Sequence, residues 1–149
     1  KYADLSHDPQ TLIVLTWEKA LALEGNSGPY LQYAYARVCS LLDKYAAQVP
    51  GVDPLNNALA LAEPIEKTLV LQLLQFPTAV VRAAEAYKPS ILADYLFGLS
   101  QIYSSFYQRS PVLKADPAVR DSRIRLCAMV AQVLSEGLGL LGMRTPRRI

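Results

Sequence analysis

Five prolines limit what this chain can fold into more than any other residues do. Pro29, Pro64, Pro77, Pro89 and Pro117 each stand at the head of a stretch rich in leucine and alanine. Proline lacks an amide hydrogen and holds φ near the helical value, so it is tolerated in the first turn of a helix and disruptive deeper inside. The chain is thereby divided into helix-sized pieces, predicted over 29–47, 64–74, 77–86, 90–108 and 117–137. Asp116 before Pro117 is a good cap for the last of them. Pro50-Gly51 and Tyr87-Lys88 are the matching stops.

The composition agrees. Leucine (24) and alanine (19) make up 43 of the 149 residues, and both are strong helix formers. Hydrophobic residues at 52% against 19% charged exclude a disordered chain. The apolar positions recur at helical spacing: Leu31, Ala34, Val38, Leu41, Leu42 and Tyr45 share one face of the first long helix. Leu31, Val38, Leu41, Leu96, Leu99, Leu126, Val130 and Leu134 are the expected core. Such stripes are buried most simply in an all-α, antiparallel helical bundle of about five helices with short prolyl connections. Leu12 to Leu15 reads as a short strand followed by a helical turn. Lys1 is not a methionine and residues 2–5 read as the end of a preceding element, so the chain is expected to be one end of a longer polypeptide.

Several classes of chemistry find no support. Apolar runs stop short of a membrane span, and no signal peptide or membrane partner is expected. Cys39 and Cys127 lie in apolar helical contexts and read as buried thiols. His7, beside Ser6, Asp8 and Pro9, reads as a turn histidine. No His/Cys ligand spacing supports a metal, and Gly25-x-x-Gly28 lacks the strand and third glycine of a phosphate loop. Glu63 and Glu66 share a helix face and read as a solvated pair. No catalytic residue is assigned.

Charge is distributed unevenly. Residues 120–149 carry six arginines against Asp121 and Glu136, a local +4, while residues 1–119 sum to −2. A basic end on a near-neutral body points towards a polyanion or is simply a solvated tail. On the first long helix Tyr30, Tyr33 and Arg37 fall within roughly 60° of one another, at about 110° from the apolar face. Tyrosine rings with an arginine suit the stacking of unpaired bases. The same rings can instead pack on a neighbouring helix with their hydroxyls in water.

The run Glu24-Gly25-Asn26-Ser27-Gly28-Pro29-Tyr30-Leu31-Gln32-Tyr33-Ala34-Tyr35-Ala36-Arg37 resembles the signature that follows the catalytic core of arginyl-tRNA synthetases. Phe76-Pro77 with Val80-Val81, Pro89 with Tyr95-Leu96, Phe106-Tyr107, Arg123-Ile124-Arg125-Leu126 and Leu140-Leu141-Gly142-Met143 resemble later parts of the same family in register. The first run is specific. The later ones are shared more loosely with the cysteine enzyme, whose related domain is one alternative. A helical protein-interaction module on the same scaffold is another.

The resemblance implies that residues 1–24 are the tail of a catalytic core or connector and residues 25–149 a helical anticodon-binding domain. The parent enzyme would join arginine to its tRNA with ATP and magnesium. The His-Ile-Gly-His and Lys-Met-Ser-Lys-Ser signatures of its ATP site are absent here, so this part would bind the anticodon loop and need no cofactor. Carried over singly, Gly25, Asn26, Ser27 and Gly28 lie against the anticodon loop. Tyr30 and Tyr33 meet its splayed bases, Arg37 continues that face, Tyr107 stands on the anticodon side, and Ile149 supplies an apolar contact. The family usually ends Glu-Arg-Met where this chain has Arg147-Arg148-Ile149, so a salt bridge made by that acid is lost or replaced. The implied partners are the anticodon loop of an arginine tRNA and the catalytic domain of the same chain. The expected state is a cytoplasmic monomer.

Overall fold

The computed structural model describes residues 1–8 and 16–149. The strand expected at Leu12 to Leu15 lies outside them. Two short helices, α1 (Tyr2–Leu5) and α2 (Trp17–Ala20), precede the long ones: α3 (Gly28–Gln48), α4 (Pro64–Leu74), α5 (Phe76–Glu85), α6 (Pro89–Arg109) and α7 (Pro117–Leu140). A single 3₁₀ turn, Pro54–Asn56, sits in the α3–α4 connection, and the described residues contain no strand. All five prolines fall in the first turn of their helices. None of the described helices is long and apolar enough to cross a membrane.

The helix starts are built from local chemistry. Ser27 caps α3 by accepting from the Tyr30 amide at 3.2 Å, and its own hydroxyl donates to the Ala22 carbonyl. Asp53 caps the 3₁₀ turn through the Leu55 amide at 3.0 Å. Glu66, in the first turn of α4, reaches back to the amides of Glu63 and Ala62 at 3.0 and 2.8 Å.

Side-chain pairs fix how the long helices run. Tyr45 near the end of α3 donates to Asp121 at the start of α7, at 3.1 Å. Gln32 near the start of α3 donates to the Arg144 carbonyl just past α7, at 2.8 Å. These two helices are therefore antiparallel. Tyr30 meets Phe97, and Arg37 meets Ser104, at the same sequence offset, so α3 and α6 run parallel. A methyl group added at Gly137 of α7 would stand 2.6 Å from Leu96 Cδ2, so glycine is what lets α7 approach α6 this closely.

All eight residues named as core are buried, together with Tyr45, Tyr103, Phe106, Ile124 and Leu138. Cys39 and Cys127 are buried and free. Tyr2 of the first segment is also buried, with its hydroxyl on Asn26 Oδ1 at 2.6 Å and the Ala93 carbonyl at 3.2 Å.

One expectation fails. Glu66 is not part of a solvated pair with Glu63. It is 1% exposed and accepts from Arg123 Nε at 2.7 Å, while Glu63 remains outside. The spacing put both acids on one face, but α7 packs over the deeper of the two, and its Arg123 guanidinium lies 2.7 Å from the buried Glu66 and 3.9 Å from the exposed Glu63. Burial works against the charge on Glu66. Hydrogen bonds from the Glu63 amide, the Arg123 side chain and the Ala62 amide outweigh it, and the carboxyl lies below its usual range.

Candidate nucleic-acid interface

Because α3 and α6 run side by side, their shared surface is covered along most of its length. Tyr30 packs edge-on against Phe97 with ring centres 5.7 Å apart and is half-buried. A groove of about 710 Å³ begins at Tyr33 and runs along α3 to Ala47, past the end of α6 at Arg109. Tyr33, Arg37, Ser40 and Lys44 of α3 line it at helical spacing, with Asp43 beside them and Tyr107 coming from α6.

Arg37 organises this groove. Its guanidinium carbon lies 5.4 Å from the centre of the Tyr33 ring and 5.4 Å from that of Tyr107. That is cation–π distance to both rings. One terminal nitrogen donates to Ser104 Oγ at 3.2 Å, and Nε is buried without a hydrogen-bond partner. Tyr33 is 45% and Tyr107 37% exposed, so both rings present surface to the groove.

The C-terminal tail closes the other side. After α7, Arg144 is held through its carbonyl by Gln32, Thr145 meets Ser135 at 3.2 Å, and Arg147 pairs with Asp43 at 2.6 Å. Arg147, Arg148 and Ile149 then line the same groove as the tyrosines.

The sequence-named residues thus separate into two groups. Tyr33, Arg37, Tyr107 and Ile149 meet in one groove. Gly25, Asn26, Ser27, Gly28 and Tyr30 lie at the other end of α3. Asn26 is engaged by Tyr2 and donates to Asp94 at 3.3 Å, and Ser27 is buried as the cap. Gly28 is buried where a Cβ would meet Met143 and Tyr2 at 3.0 and 3.1 Å. Gly25 remains exposed at φ +73°, a turn conformation natural to glycine.

The basic end is not a continuous cationic surface. Arg120 pairs with Asp121 at 2.8 Å, Arg123 with Glu66, and Arg125 donates to the Asn57 carbonyl at 2.6 Å. Only Arg147 and Arg148 reach the groove, and there they join Arg37 and Lys44. Ser40 and Lys44 extend the Tyr33–Arg37 stripe and were readable from helical spacing. Asp43 and its pairing with Arg147 were not, because that contact depends on where the tail folds back.

Residues 31–149 match the family described as the DALR anticodon binding domain. An arginine–tRNA ligase of Haemophilus ducreyi is 42% identical over 149 residues, covering 100% of this chain and 26% of the relative. One from Fusobacterium nucleatum is 44% identical over 143 residues, covering 96% of the chain and 25% of the relative. Among solved structures, Thermus thermophilus arginyl-tRNA synthetase superposes with a TM-score of 0.87 at 35% identity, over 99% of this chain and 25% of that one. The Plasmodium falciparum enzyme, at 24% identity and a TM-score of 0.85, shares the fold. The chain spans about a quarter of the length of these relatives.

Proposed function

We propose that this chain, which belongs to the DALR anticodon-binding domain family, binds the anticodon loop of an arginine tRNA as one part of an arginine–tRNA ligase. The observation that carries this reading is the Tyr33–Arg37–Tyr107 stack on the floor of an open, cation-lined groove. Stacked aromatic and guanidinium planes accept any base, and the surrounding arginines and Lys44 suit the phosphates between bases. Arginine anticodons share a central cytosine and vary around it. A reader therefore needs tolerant stacking next to one strict pocket.

On this reading residues 25–149 are the binding domain. Residues 1–24 lead in from the catalytic part of the same chain, with Tyr2 as their anchor. Ligation of arginine with ATP and magnesium belongs to the preceding part of the polypeptide. Among the described residues no three His, Cys, Asp or Glu side chains converge on a cation site. No step of that ligation is assigned to the described residues. The working compartment is the cytoplasm, and the working form a monomer.

The test is titration of the 149-residue chain with a labelled anticodon stem-loop carrying a central cytosine. Tyr33→Ala and Tyr107→Ala should each weaken binding by about 1–3 kcal/mol, the value of a base–aromatic stack, with unchanged helical content. Tyr30→Ala should act mainly through lost packing on Phe97. Raising salt should weaken binding steadily. Binding that ignores both Tyr33 and Tyr107 would overturn the assignment.

A further inference from the structure

The tail that forms one wall of the groove is held by few contacts. The Gln32–Arg144 and Ser135–Thr145 contacts fix it as far as residue 145. Beyond that, Arg147 to Asp43 at 2.6 Å is the hydrogen bond that ties it to α3. Asp43 itself lines the groove, as do Ser40, Lys44 and its partner Arg147. Two residues further on, Ile149 is 72% exposed and reaches the same groove as Tyr33, Arg37 and Tyr107.

We propose that Asp43 and Arg147 form a latch that sets the C-terminal wall of the groove, so that Asp43 is a positioning residue for base selection although its carboxylate repels RNA. The proposal rests on the anticodon-binding reading above. Arg147 has two possible uses in a cationic groove: to bind a phosphate directly, or to hold the tail. A 2.6 Å contact with a carboxylate engages the guanidinium and favours holding. The pair is exposed, 60% and 43%, so it adds little to global stability. Its effect is local: it decides whether Arg148 and Ile149 stay against α3 or swing into solvent.

Electrostatics alone and the latch predict opposite signs for one substitution. Asp43→Asn removes a negative charge from an RNA-facing groove, so by charge alone every RNA should bind more tightly. With a latch, Asp43→Asn releases the wall. Affinity for a central-cytosine stem-loop should then fall about two- to fivefold, a factor set by the modest strength of exposed pairs, and the preference for cytosine over uracil at that position should shrink.

The experiment is a double-mutant cycle on the 149-residue chain. Asp43→Asn and Arg147→Gln should each cost that factor, the double variant no more than either single, and the charge exchange Asp43→Arg with Arg147→Asp should restore affinity and preference. A second measurement needs no RNA. The heteronuclear NOE of the Ile149 amide should drop towards that of a free terminus in both single variants and recover in the exchanged pair. Tighter or unchanged binding by Asp43→Asn, or an Ile149 amide equally ordered in all variants, overturns the latch. If the unaltered chain binds no stem-loop, the anticodon reading fails, and the NOE series still decides the latch.

Discussion

Arg123 of α7 donates Nε to Glu66 of α4 at 2.7 Å, with the two side chains 7% and 1% exposed. The contact joins helices that are far apart in sequence. It is backed by the Arg123 bond to the Pro111 carbonyl at 2.8 Å and by the two amides that Glu66 caps. Both carboxylate oxygens of Glu66 and two of the three guanidinium nitrogens of Arg123 are hydrogen-bonded, and the third lies 3.9 Å from Glu63. Removing one partner therefore leaves a desolvated charge behind. Glu66→Gln or Arg123→Met should each lower unfolding free energy by about 3–5 kcal/mol in urea titrations. A loss below about 1 kcal/mol would mean that water reaches the pair in solution.

The same pair sets an acid limit. The folded Glu66 carboxyl lies below its ordinary value of 4.5. Above that value both folded and unfolded states are ionised and the full contribution is present. As pH falls below it, the unfolded chain takes up the proton first, and stability is lost until the folded carboxyl also titrates. As pH drops below 4.5 the urea midpoint should fall, and more steeply in the unaltered chain than in Glu66→Gln. Equal slopes would assign the acid loss to other carboxylates.

Cys127 is enclosed between α7 and α6, and burial pushes its thiol up to about 12. Thiolate is the reactive form, so near neutral pH this residue should be inert. Ellman's reagent should find both cysteines unreactive in the folded protein and titrate two thiols after denaturation. Rapid native-state labelling of one thiol would reveal local opening of the bundle at a lower cost than global unfolding.

Arg37 offers a test of planarity as opposed to charge. Lysine would keep the cation but lose the flat guanidinium that fits between Tyr33 and Tyr107. Arg37→Lys should weaken stem-loop binding by about 1 kcal/mol and leave the salt dependence nearly unchanged. A reduced salt slope would instead show that Arg37 works as a phosphate contact.

How much of this was legible beforehand follows from range. The prolines marked the helix starts because their effect is confined to one turn, and observed and expected boundaries differ by few residues. Tyr33 and Arg37 could be paired because i, i+4 neighbours meet on any helix. Tyr30 sits on the same stripe by angle, yet it faces Phe97 instead of the groove. What separates them is the neighbour each ring meets: Tyr30 packs on Phe97, whereas Tyr33 shares Arg37 with Tyr107 at the groove. Glu66 was misread for a similar reason: its partner Arg123 arrives from 57 positions away, and no local pattern announces it. Tyr107 and Ile149 came from family resemblance, since no periodicity on α6 or in the tail distinguishes them.

Tyr87 carries the last prediction. It stands just past α5 at φ 54°, in the left-handed region, with its side chain 89% exposed. Its amide donates to the Ala84 carbonyl at 3.2 Å, and the Lys88 amide to the Ala83 carbonyl at 3.0 Å. That is the Schellman pattern of a helix end, in which this position is usually glycine. An L-residue with a side chain is strained there, and the exposed ring gains little packing to offset it. Tyr87→Gly removes the strain but adds freedom to the unfolded chain. The net should be a gain of about 0.5–1 kcal/mol, read as a higher urea midpoint with unchanged m-value. Tyr87→Ala keeps the Cβ and should gain nothing. If Tyr87→Gly destabilises the protein, the tyrosine ring makes a contact in solution that outweighs its backbone strain.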